Sequence, residues 1–183
     1  MYPRRLKVYM IAVGLIAMGL MVFYREMLSH VTIAMAIFCL GVFLGAVFAI
    51  EMMRGQGEVS ITLPVILAAG VVLGPGAGLW IGAVGTFTWR EITGKVRWPS
   101  LLFNRAQFGI TSWATAEVFR LLGGSPARLS IAHASGPLVV AAVTAFVLNL
   151  MFVIVAVALR EDRSLGEIIR VYFKWMLPSF FVM

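Results

Sequence analysis

The chain has 183 residues, 61% of them hydrophobic and 13% charged, with a mean hydropathy of +0.97. A soluble domain is about half apolar and a quarter charged, so this chain lacks the charge to cover a water-facing surface and reads as an integral membrane protein. One cysteine, Cys39, excludes a disulfide scaffold. The +7 formal charge sits mostly beside apolar runs, so it reads as a topology signal and not as a nucleic-acid footprint.

A membrane span takes about 20 residues, so short loops leave room for about six or seven spans. The expected architecture is an all-α polytopic membrane protein of about six transmembrane helices plus a truncated seventh. It forms a single integral membrane domain over 1–183, with no soluble domain. The first run, Val8–Phe23, follows Arg4, Arg5 and Lys7. It is long, and Tyr24-Arg25-Glu26 replaces a cleavage site, so it is a retained span. Ser29 can cap the second span, Val31–Ile50, in which Gly41, Gly45 and Ala49 form a small face suited to close packing. A polar loop, Glu51–Glu58, follows and holds Arg54.

The third stretch, Val59–Trp89, is too long for one span and carries Gly74-Pro75-Gly76 at its middle. It is either one kinked helix or two short helices joined by a turn. A cytoplasmic N-terminus and a turn put Arg4, Arg5, Lys7, Arg54, Arg90, Lys95, Arg97, Arg160 and Arg163 inside. Arg25, Arg120 and Arg128 are then outside, nine against three; a kink gives six against six. The positive-inside rule favours the hairpin. Against it, Gly70, Gly74, Gly78 and Gly82 recur every four residues, as on one helix face.

After a basic loop, Arg90–Arg97, the pair Trp98-Pro99 marks an interface and a helix start, with the helix itself running from about Ser100 to Leu122. Gly123-Gly124-Ser125-Pro126 ends it, a loop runs to Ser135, and Ser135-Gly136-Pro137 opens the next span, Leu138–Leu159. Ser164 and Glu167 have capping-box spacing and predict one more helix. Its apolar part, Val171–Met183, has 13 residues, too few to span, and reads as cut inside a longer helix.

Asn104, Gln107, Thr111 and Thr115 follow steps of three, four and four and line one face of the Ser100–Leu122 helix. Polar groups at membrane depth face the bundle interior or a wet cavity, so this stripe is either a ligand pocket or hydrogen-bonding glue between helices. Asn149, alone in an apolar span, is one interhelical bond or a second wall of that cavity. Arg105 and Glu117 lie near opposite ends of the helix, where long side chains snorkel. His30 and His133 fall in predicted outer loops without a partner at metal-ligand spacing, so neither a metal nor a cofactor is expected. No nucleophile–base pair or carboxylate pair points to an enzyme.

Several short motifs carry a resemblance. Ser60-Ile61-Thr62-Leu63-Pro64 leads to Leu73-Gly74-Pro75-Gly76-Ala77-Gly78. Leu102-Phe103-Asn104-Arg105-Ala106-Gln107 and Val118-Phe119-Arg120-Leu121-Leu122-Gly123-Gly124 follow, then Asn149, Ser164-Leu165, Trp175 and Pro178. Over roughly residues 30–183 this order resembles the membrane-associated sensor domains (MASE type) that precede HD-GYP phosphodiesterase or GGDEF cyclase domains in bacterial cyclic-di-GMP signalling. The Gly-Pro turn is also similar to five-helix receptors of the LytS type and to substrate-binding subunits of energy-coupling-factor transporters.

The resemblance implies a non-enzymatic sensor in the bacterial inner membrane that takes a small ligand or a membrane state as input. Its partners would be the bilayer, the ligand and a cytoplasmic output domain, with a second copy of the chain as a further candidate. Asn104 and Gln107 match the family's polar motif and Gly74-Pro75 its turn. The chain departs from the family pattern in that no output domain follows. A binding or transport subunit of the energy-coupling-factor type is the alternative.

Overall fold

A computed structural model describes residues 2–26, 33–47, 50–51, 58–59, 62–86, 97–128 and 131–170. Ser29, His30, Val31, Ala49, Arg54, Ser60, Ile61, Trp89, the 90–96 stretch of the basic loop and the 171–183 segment lie outside the described residues. The helices are α1 (Arg4–Phe23), α2 (Ile33–Val47), α3 (Thr62–Leu73), α4 (Pro75–Val84), α5 (Trp98–Leu121), α6 (Ile131–Glu161) and α7 (residues 165–170). A two-residue antiparallel ladder, β1 (Ile50–Glu51) with β2 (Glu58–Val59), departs from the all-α expectation for the polar loop.

α5 is the hub, packing against α1, α3, α4 and α6. Its buried residues lie all around the helix, from Phe103 and Ala106 through Gln107 and Thr111 to Ala116 and Phe119. That is why the most polar helix of the chain can sit here: its polar groups meet protein on every side. α1 buries one stripe, Leu6, Met10, Val13 and Ala17, against Phe103, Ala106 and Ile110 of α5. Its other side exposes Val8, Ile11, Leu15, Ile16 and Val22. α2 and α6 also expose apolar rows, including Ile33, Ile37 and Leu40, and Val139, Val143 and Val147. Exposed apolar rows on this scale mark a surface that faces a membrane or a partner. By length and composition, α1 and His133–Glu161 of α6 can cross a membrane; α2, α3 and α4 are shorter apolar helices.

The chain reverses direction at Gly74. Its φ of 97° lies in the left-handed region open to glycine, and Pro75 opens α4 at a position that needs no donor. Gly76 is already inside α4 and buried. The arms are in close contact, since a Cβ on Gly78 would lie 2.6 Å from the Gly70 Cα. In one continuous helix those residues would be about 12 Å apart. The four-residue glycine ladder is thus two facing edges. Gly70 and Gly78 meet each other and Ser112, while Gly82 meets the backbone of Phe108 and Gly109. Gly41 plays the same part in α2, where a Cβ would approach Val65 of α3 at 3.3 Å.

Contacts at the two ends show that α1 and α5 run parallel. At one end the Tyr2 hydroxyl and Ser100 Oγ share a hydrogen bond of 2.6 Å, and Arg97 stacks on the Tyr2 ring. At the other, Tyr24 meets Glu117. α5 closes with Gly123 at φ 81°, the Gly124 N–H bonding the Phe119 carbonyl and the Gly123 N–H bonding Arg120. This is a Schellman stop, and it explains why the chain has two glycines there. α6 begins earlier than the sequence suggests. It starts at Ile131 and carries Pro137 within it, so the predicted loop to Ser135 is helical and His133 is a helix residue. A proline seven residues into a helix falls where one donor is lost, which the start expected at Ser135-Gly136-Pro137 would have avoided. α7 opens on the Ser164 cap, whose Oγ accepts the Glu167 N–H at 3.3 Å. Ile168 returns to α6, clustering with Leu150, Ile154 and Ala158.

Candidate functional site

The stripe on α5 is buried at Gln107, Thr111 and Thr115, with Thr111 fully enclosed, and Asn104 is half-buried. Each neighbour of α5 takes one sector of the helix. Phe103, Ala106 and Ile110 meet α1, whereas Ser112 and Ala116 meet the glycines of the α3–α4 hairpin. At 100° per residue, Gln107 and Thr111 fall in the sector left for α6. On α6, Asn149 shares a face with Ala141, Ala145 and Phe152, and Phe152 packs into the α1–α5 cluster. Asn149 therefore lies on the face of α6 that meets the rest of the bundle.

The hydrogen bonding of these residues is incomplete. Thr115 is satisfied by its own helix, its Oγ1 donating to the Thr111 carbonyl at 2.7 Å. Gln107 Oε1, Thr111 Oγ1 and Asn149 Oδ1 are buried and find no partner in the structure. A buried polar atom left unpaired costs about 1–3 kcal/mol, and in hydrocarbon there is no stray water to relieve it. Three such oxygens form an acceptor-rich set suited to a group that donates hydrogen bonds. Among these three side chains there is no acid or base to activate the Thr111 hydroxyl.

Two further constellations surround α5, and sequence reading missed both. Ser112 Oγ donates to the Ile66 carbonyl at 3.0 Å and sits where Gly70 and Gly78 leave room, so it locks the hairpin to α5. The signal was the glycine ladder, read along one helix instead of across two. The second lies at the Tyr24 end. The Tyr24 hydroxyl donates to Glu117 Oε1 at 2.9 Å and accepts from Trp113 Nε1 at 3.3 Å, while Trp80 Nε1 donates to the Tyr24 carbonyl at 3.2 Å. Arg120 forks onto Glu117 Oε2 at 2.8 and 3.1 Å. Glu117 is only 16% exposed, so it is pinned in the bundle and does not snorkel as its position in the sequence suggested.

Arg105 lines a cavity between α1 and α5, on the other side of α5 from the stripe. Cys39 is half-buried on α2 beside the cluster of Met35, Val42 and Ile66. Among the described residues, no group of three or more His, Cys, Asp or Glu gathers as a metal site would require.

No curated protein and no solved structure matches the chain. A family does match it, over residues 21–183, which takes in α2 to α7, the Gly74 turn and every residue of the polar stripe. The chain belongs to the MASE9 family, a membrane sensor domain family of the MASE type.

Proposed function

We propose that this domain is a multi-pass sensor of the bacterial inner membrane. In this reading the N-terminus is cytoplasmic, and α1 to α6 supply six passes. The nine-to-three distribution of basic residues supports this orientation, and it puts the Tyr2 end of the bundle inside. The input is a small molecule that seats between α5 and α6 and donates hydrogen bonds to Gln107, Thr111 and Asn149. The observation that carries this reading is the three buried oxygens without partners on two facing helices.

The signal would travel along α6. A ligand shifts a packing equilibrium only through its different affinity for the two arrangements. Three interhelical hydrogen bonds at about 0.6 kcal/mol each sum to roughly 2 kcal/mol, or about thirtyfold in population. α6 ends at the Tyr2 end, where Asp162 reverses the chain with φ 55° and Ser164 starts α7. A shift of α6 against α5 therefore moves the α6–α7 corner, on the side where a cytoplasmic output domain of the cyclic-di-GMP type would be attached.

The test is extraction of the purified chain into organic solvent, followed by mass spectrometry. The wild type is expected to release a small molecule that the Asn104→Leu/Gln107→Leu and Asn149→Leu variants do not, at unchanged helicity and elution volume. An identical release from the variants, or none from any, would leave the stripe as packing glue and refute the reading.

A further inference from the structure

A cavity of about 660 Å³ opens between α1 and α5, beside Ala83 near the end of α4. Its volume falls within the roughly 300–1,000 Å³ typical of small-molecule pockets. Leu102, Arg105 and Ala106 line it, about half a turn around α5 from the polar stripe, so it is separate from the seat proposed above.

The chemistry of the wall changes along its length. At one end are Lys7 and Arg105. The described lining contains no acidic residue. Lys7 lies five residues beyond Tyr2, and Arg105 five beyond Ser100. Because the Tyr2 hydroxyl and Ser100 Oγ are bonded, α1 and α5 start from a shared level, and each cation follows within about the first two turns of its helix. Tyr2 and Trp98 line the same end, and both are residue types that prefer the headgroup region. Beyond the cations the wall is apolar, with Met10, Leu15 and Met18 of α1 in sequence. The α1 lining from Lys7 to Met21 runs about 21 Å, against about 15 Å for the hydrocarbon of one leaflet.

A cationic rim at headgroup depth above an apolar trough as long as a leaflet is the complement of an acidic phospholipid. We infer that this groove binds one anionic phospholipid of the leaflet at the Tyr2 end. The phosphate lies between Lys7 and Arg105, and an acyl chain lies along Met10, Gly14 and Met18. Gly14 is part of the lining and has nothing within 4 Å of its Cβ position, so the trough is open at the point where the chain would pass.

The experiment is native mass spectrometry of the 183-residue chain in detergent, titrated with phosphatidylglycerol or phosphatidylethanolamine of matched chains. The wild type is expected to retain one phosphatidylglycerol at least about fivefold better than phosphatidylethanolamine. Lys7→Gln/Arg105→Gln should abolish that preference. Arg4→Gln/Arg5→Gln, which removes two exposed charges outside the cavity, should keep it. Gly14→Phe fills the trough with every charge in place and should lower retention of both lipids, which covers the case in which the Arg105 variant fails to fold. Equal retention of the two lipids by the wild type, equal loss in both charge variants, or full retention by Gly14→Phe would each overturn the assignment.

Discussion

Gly78→Ala tests the hairpin at its tightest point. The added methyl would lie 2.6 Å from the Gly70 Cα and overlap Ser112 Oγ. Non-bonded carbons settle at about 3.5–4.0 Å, so the α3 and α4 backbones must part by roughly 1 Å. Overpacking of this kind costs about 1–3 kcal/mol. Displacing Ser112 from the Ile66 carbonyl adds about 0.6 kcal/mol. Better helix propensity returns up to about 1 kcal/mol, leaving a net loss of roughly 1–3 kcal/mol. The assay is reversible unfolding of the purified chain in mixed micelles of increasing SDS fraction, followed by circular dichroism. Gly14→Ala is the control, because its Cβ would meet nothing within 4 Å. If Gly78→Ala matches Gly14→Ala within about 0.5 kcal/mol, the two arms are not in contact and the hairpin argument fails.

Other substitutions probe the remaining parts of the bundle in the same assay or in simple variants of it. Thr111→Val keeps the shape of a fully buried side chain and removes an unpartnered hydroxyl, so the empty protein should gain up to about 1 kcal/mol. A loss of more than 1 kcal/mol would show that the hydroxyl is bonded. Tyr24→Phe deletes the donor to Glu117 and the acceptor of Trp113, and should cost about 1–3 kcal/mol; a neutral result would mean that this end is wet. Ser164→Ala removes the cap of α7 at about 1 kcal/mol and should speed amide exchange in residues 165–170 without lowering global stability. Asp162→Gly relieves the positive φ and should stabilise by about 1 kcal/mol, since the contact with Arg5 at 3.9 Å is fully solvated; destabilisation would give that ion pair a weight it should not have.

Most of the helices were legible in the sequence because lipid leaves a long apolar run few alternatives to helix. The stop at Gly123-Gly124 and the start at Ser164 were legible because capping needs particular residues at fixed offsets. The start of α6 was not. Pro137 reads locally as a helix start, and only the packed structure carries the helix back through it to Ile131. The stripe of Gln107, Thr111 and Thr115 could be seen from its spacing, but its state of satisfaction could not. Thr115 turns to its own backbone, whereas Gln107 and Thr111 keep orphan oxygens, and that difference depends on what the neighbouring helices offer. Gly70 and Gly78 argued for one continuous face because four-residue spacing is identical along a helix and across a tight antiparallel turn. Tyr24, Trp80, Trp113 and Glu117 come from three helices and share no sequence signal at all.

The membrane reading places the Gly74 turn and the Pro126–Arg128 segment on one side of the bilayer, and the Tyr2–Ser100 end on the other. Single cysteines at Pro75, Ala127 and Arg97, introduced into a Cys39→Ala background, test that directly with a membrane-impermeant maleimide on intact cells. Pro75→Cys and Ala127→Cys should react from outside, and Arg97→Cys only after the membrane is permeabilised. Labelling of Pro75→Cys and Arg97→Cys from the same side would contradict the hairpin topology and the orientation built on it.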